Sequence, residues 1–207
     1  MKHEKTNEKM AQRKARVQKR CAQFEAEGYR QIDLTISAKT ANSRAVASTL
    51  PLIVLHVLLF GWIAGWRAFA DLDMGLLGTA VLVSIVVHEL IHGLFFALAA
   101  PGGFRSVEFG VFWESMNPYC YCAEPVSKGQ YLTALTMPGI LLGTVVGVMA
   151  ICFGSATWLL FSLVAYLLAS GDFFIAVMIF RYDSKGKQTL FLDHPDQPGL
   201  LVFQKEN

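Results

Sequence analysis

Four stretches of this chain are each long and apolar enough to cross a lipid bilayer, and nothing else constrains its fold as tightly. Leu50–Ala70, Leu76–Ala100, Tyr131–Phe153 and Ala156–Phe180 all reach the roughly 20 residues that a helix needs to traverse the hydrocarbon core. The overall composition agrees. Of 207 residues 54% are apolar and only 16% charged, which fits a polytopic membrane protein with modest extramembrane parts. The sequence therefore predicts a membrane all-α fold of four transmembrane helices arranged as two hairpins. Three regions follow: a basic arm over 1–49, a membrane core over 50–180 with a central loop at 101–130, and a tail over 181–207.

Charge sets the expected orientation. Residues 1–49 carry eleven Lys/Arg against five Asp/Glu, and Arg181, Lys185 and Lys187 follow the last apolar stretch. The short connections at 71–75 and 154–155 carry neither Lys nor Arg. By the positive-inside rule both termini and the central loop are cytoplasmic. A basic arm beside an apolar span is read as a topology signal, so no nucleic-acid partner is expected. The bilayer itself is the expected surrounding.

The polar segments have texture. Residues 8–27 predict a helix with Val17, Cys21 and Phe24 on one side, placed to touch a membrane surface or a neighbouring protein. Small cytoplasmic β elements are expected from all three polar regions. Ile32, Leu34 and Ile36 alternate as in a strand, and so do Val107, Phe109, Val111 and Trp113 before Asn117-Pro118. Two further strands flank a turn at Asp193-His-Pro-Asp-Gln-Pro-Gly199.

The second apolar stretch contains His88-Glu89-Leu90-Ile91-His92. Residues four apart share one face of a helix, so His88 and His92 can reach a single ion, with Glu89 close enough to handle a water without ligating the metal. A catalytic zinc takes three protein ligands. Phe95 and Leu98 stand where a downstream Gly and a third His would be needed. Glu89 aside, the one acidic residue within the four stretches is Asp172. A charged Asp at the centre of a membrane helix costs roughly 2.5–3.5 kcal/mol on insertion scales. Metal coordination outweighs that, since structural zinc binding is worth about 10–16 kcal/mol in peptides. Depth agrees too. His92 and Asp172 are each seventeenth in their stretches, which run the same way, so both lie about 24 Å from the outer end at about 1.5 Å per residue. The expected site is thus Zn2+ on His88, His92 and Asp172, in the cytoplasmic half of the membrane. His56, alone in the first stretch, is read as a packing residue, and Pro138 as a kink or as a source of free backbone carbonyls.

Taken together, His88-Glu-Leu-Ile-His-Gly93, Cys120-Tyr-Cys-Ala-Glu-Pro125, Met137-Pro138, Ser170-Gly-Asp172 and Asp193–Gly199 resemble the zincin peptidase family of small bacterial membrane proteins, intramembrane zinc metalloproteases of the site-2-protease type. The resemblance runs from Gly28-Tyr29 to Gly199. It implies a bacterial cell-membrane protein, zinc held by His88, His92 and Asp172, and catalysis by Glu89. Asp172 follows Ala-Ser-Gly here, whereas well-studied site-2 proteases place their aspartate in Asn-Pro-x-x-Asp-Gly.

The expected activity is zinc-dependent hydrolysis of peptide bonds in membrane-anchored protein substrates. An unwound substrate segment is expected to add to the strand bearing Val107, Phe109 and Val111, where backbone bonds replace the lost helical ones. Two other readings of the same residues stay open at this level. One is a membrane metal-binding or scaffold protein that cleaves nothing; the other is a small metal-ion transporter.

Overall fold

The computed structural model describes residues 2–35, 38–112, 117–195 and 199–206. Ile36, Trp113 and positions 196–198 of the closing turn lie outside the described residues. Three helices are long and apolar enough to cross a membrane. The first lies within α2 (Ala38–Ile63) and the second is α3 (Met74–Ala99). The third runs from Lys128 to Phe153 as α4 (Lys128–Pro138), a π-helical segment Gly139–Val145 and α5 (Val146–Phe153). Their outer faces carry large apolar side chains, among them Trp62 at 82% and Leu98 at 73% exposure, as contact with lipid requires.

The expected four-span all-α fold does not form. The fourth apolar stretch is broken into α6 (Ala156–Leu168) and α7 (Ser170–Arg181), which meet at 54°. The break falls at Ala169-Ser170-Gly171, where Ser and Gly lower helix propensity. It places Asp172 in the first turn of a new helix, an end that favours negative charge. Lys128 donates from Nζ to the carbonyls of Phe180 and Tyr182 at 3.1 and 2.9 Å, tying the end of α7 to the start of α4.

The polar segments also form more than isolated strands. β1 (Tyr29–Thr35), β4 (Val126–Ser127), β5 (Thr189–Asp193) and β6 (Gly199–Lys205) make one antiparallel sheet in the order β1-β6-β5-β4. β1 and β6 pair from Tyr29↔Lys205 to Thr35↔Gly199. β6 is buried on both faces, and its side chains alternate. Leu200 and Val202 join Phe96, Tyr131, Ile179 and Phe191 in the core shared with α3, α4 and α7. Leu201 and Phe203 pack with Leu192 against Val17 of α1 (Lys2–Ala26). Cys21 and Phe24 of that helix add to the same cluster. The apolar stripe of α1 is therefore spent on the sheet rather than on a membrane surface.

The central loop folds into a separate hairpin, β2 (Val107–Phe112) and β3 (Asn117–Cys122), with Phe109 opposite Cys120. Arg13 and Arg16 of α1 both pair with Glu108 of this hairpin, and Arg20 pairs with Glu124 beyond it. Burial pushes the Glu108 carboxyl up, but the Arg16 and Arg13 guanidiniums outweigh it and hold it below its ordinary range. The Arg13 guanidinium lies 4.0 Å from the Tyr121 ring centre, a cation–π contact that partly offsets its desolvation.

Candidate metal centre

Along α3 the buried residues Ser84, His88, His92 and Phe96 recur every fourth position. That spacing makes one stripe of a helix whose other sides face outward. His88 and His92 sit on that stripe because the packed side of α3 faces α4, α6 and the hairpin. Gly93 lets the hairpin come close. A Cβ there would fall 2.2 Å from Cζ of Phe109, so the Phe109 ring rests directly on the helix one residue after His92.

The structure brings His88, His92 and Asp172 together. Nε2 of His88 lies 3.0 Å from Nε2 of His92 and 3.0 Å from Oδ2 of Asp172. Nε2 of His92 is 3.3 Å from the same oxygen. Tetrahedral zinc with bonds of about 2.0–2.1 Å sets its ligand atoms roughly 3.3 Å apart, so this triangle fits such an ion. The chemistry of the donors fits as well. Nδ1 of His92 donates to the carbonyl of Ala134 at 2.9 Å, since a carbonyl oxygen can only accept. The ring proton is thereby held away from the site, leaving the Nε2 lone pair for a metal.

That carbonyl is available for a specific reason. In a helix the Ala134 oxygen would accept from the N–H four residues on, and residue 138 is proline, which has none. Pro138 therefore supplies the acceptor that orients His92. The π-helical segment begins directly after it. Gly139 opens that segment, and a Cβ there would fall 2.2 Å from the Phe173 ring. The neighbour of Asp172 can thus seat against the start of that segment. Gly171, by contrast, has nothing within 4 Å of its Cβ position and borders open space rather than a helix contact.

Glu89 lines the same cleft, together with Cys120 of β3. The cleft has a volume of ≈ 550 Å³ and is walled by α3, α7, β3 and the end of β5, with Arg13 of α1 reaching into it. From the hairpin it is lined by Pro118, Tyr119, Cys120 and Tyr121. Val107, Phe109 and Val111 lie on β2, the strand behind, and none of them lines this cleft. His56 stays outside it, its Nδ1 bonded to the Leu52 carbonyl at 2.9 Å and its ring packed on Tyr166.

Three contributions are not read from the motif. The Ala134 carbonyl is backbone, and its single trace in the sequence is a proline four residues later. The place of β3 along the cleft is likewise invisible without the strand register. Asp193 could be noticed as an acid closing the apolar run Thr189–Leu192. Burial pushes its carboxyl up, against the opposing pull of its Tyr131 and Cys122 donors.

A sequence-family model described as "Putative zincin peptidase" matches residues 81–185, about half of the chain. The match takes in both histidines, Glu89 and Asp172. No curated protein and no solved structure matches the chain.

Proposed function

The chain belongs to this zincin peptidase family, and from that premise we propose that it is a membrane zinc endopeptidase acting on membrane-associated protein substrates. His88, His92 and Asp172 hold the metal and Glu89 is the catalytic acid–base. The observation that carries the reading is the convergence of two imidazole Nε2 atoms and one carboxylate oxygen within 3.0–3.3 Å, beside a glutamate facing the same cleft.

When bound, zinc supplies Lewis acidity, activating a water and polarising the scissile carbonyl. The remaining work falls to the chain. His92, oriented by Ala134, and His88 present their Nε2 atoms, and Asp172 presents a carboxylate oxygen. Glu89 takes the proton of the attacking water and returns it to the leaving amine, so the same carboxylate serves both halves of the reaction.

A helical substrate hides its peptide carbonyls in hydrogen bonds, so it must unwind to be cut. The strand bordering the cleft is β3, and an extended substrate segment lies along it. In this reading both termini and the sheet are cytoplasmic, as the basic residues of the N-terminal arm favour, and water reaches the site from that side. The test compares membrane proteomes of cells carrying the wild type and Glu89→Gln. Fragments with new N-termini are expected in the wild type alone. Identical fragment sets in the two strains would refute a peptidase role.

A further inference from the structure

Asp193 has no part in the chemistry above, yet it is a half-buried carboxylate in a strand whose neighbours Phe191 and Leu192 are fully buried. A carboxylate buried in such company costs stability unless it is fully hydrogen-bonded. An apolar residue would be the cheaper choice for packing alone.

Its two oxygens reach two different elements. Oδ2 accepts the Cys122 backbone N–H at 2.7 Å, and Oδ1 accepts the Tyr131 hydroxyl. Each contact begins a short rigid path to the site. Cys120 and Cys122 are two apart on β3, so their N–H groups point to the same edge, away from β2. Asp193 holds the Cys122 N–H, and Cys120 lines the cleft together with Glu89. Tyr131 and Ala134 are three apart on α4 and share a face; the first is held by Asp193, and the carbonyl of the second holds Nδ1 of His92.

We propose that Asp193 is a positioning residue, which through α4 fixes His92 and through β3 fixes the wall of the cleft beside Glu89, from outside the membrane-spanning helices. The catalytic part of this role rests on the peptidase reading; the metal-site part does not. A single carboxylate at the end of the tail's first strand thereby links the sheet to His92 and to the strand that borders the cleft beside Glu89. It explains why a charge is kept where packing alone favours a hydrocarbon.

The test uses the full-length protein in detergent and three substitutions. Tyr131→Phe removes one path, Asp193→Ala removes both, and Asp193→Asn keeps both, because an amide accepts from Cys122 and donates to the Tyr131 oxygen. Zinc affinity is measured by competition with a chromophoric chelator. Hydrolysis of a test peptide is measured separately at saturating zinc. Outer-shell partners of metal ligands typically carry 10–100-fold in affinity. Tyr131→Phe is expected to weaken zinc by about tenfold and Asp193→Ala by more, with Asp193→Asn near the wild type. Asp183→Asn is the control, since Asp183 accepts the Lys185 N–H on an exposed turn outside the cleft; it should leave zinc affinity unchanged.

Wild-type zinc affinity in Tyr131→Phe and Asp193→Ala would overturn the proposal, whatever their melting temperatures. Should Asp193→Ala fail to fold, Tyr131→Phe decides alone. The titration needs no substrate. If no form of the protein cleaves any peptide, the peptidase reading fails while the positioning role is still judged on zinc affinity.

Discussion

Replacing Pro138 with alanine should loosen the metal site while relaxing the helix that carries it. The new N–H at position 138 points at the Ala134 carbonyl, the acceptor that orients His92 at 2.9 Å. A carbonyl oxygen has two lone pairs, so His92 is weakened in its hold rather than expelled. The low end of the 10–100-fold range for outer-shell partners therefore applies. That is about tenfold in zinc affinity, or about 1.4 kcal/mol. The helix moves the other way, because proline in a helix interior is about 3 kcal/mol less favourable than alanine. Pro138 already has helical angles, φ −58° and ψ −46°, which alanine adopts without strain. A chelator competition and a melt of the metal-free protein should thus report opposite signs, weaker zinc and an unchanged or higher Tm. Pro138→Gly restores the same N–H on a poorer helix former, so it should match alanine in zinc affinity and fall below it in Tm. Zinc affinity within twofold of the wild type in both variants would refute the assignment of Ala134 as the orienting group.

Other outcomes follow from the same geometry. Asp172→Ala leaves two protein ligands where a catalytic zinc takes three, so zinc should be lost on dialysis against a weak chelator while the protein stays folded. Gly93→Ala places a methyl 2.2 Å from the Phe109 ring and pushes the hairpin off α3. Zinc should be retained but hydrolysis should fall 10–100-fold, as a displacement on the order of 1 Å at a reacting group does, and trimming Phe109 to valine in the same chain should restore part of it. Glu108 has a folded value held below its ordinary 4.5, so its link to Arg13 and Arg16 adds stability above that value and loses it as pH falls through the lower one. The Tm gap between the wild type and Glu108→Gln should be full at neutral pH and close in acid.

The convergence of His88, His92 and Asp172 is legible in the sequence for simple physical reasons. Two histidines four apart must share a helix face, and an acid in a membrane stretch needs a compensating partner. Asp172 was the one such acid besides Glu89. The depth match that supported it assumed a straight fourth helix. The break at Ala169 leaves no mark in the sequence, because Ala, Ser and Gly are all common inside membrane helices and no proline stands at the bend. The sheet was hidden by distance. Thr35 pairs with Gly199, and alternation within a short strand reveals its faces but not its partner. The same limit applies within the hairpin. The periodicity of Val107, Phe109 and Val111 marked β2 as a strand, while the strand that borders the cleft is β3, whose Pro118-Tyr-Cys-Tyr121 run has no such pattern.

The central claim is that Glu89 moves protons at a zinc site it does not itself build. Its most direct test measures two quantities on the same purified samples of wild type and Glu89→Gln: bound zinc by elemental analysis, and cleavage of a membrane-anchored test substrate by mass spectrometry. The account predicts equimolar zinc in both and a loss of cleavage of at least about a hundredfold in the variant, as removal of a general acid–base costs. Equal cleavage by the two proteins, or a wild type that purifies and reconstitutes without zinc, would contradict it.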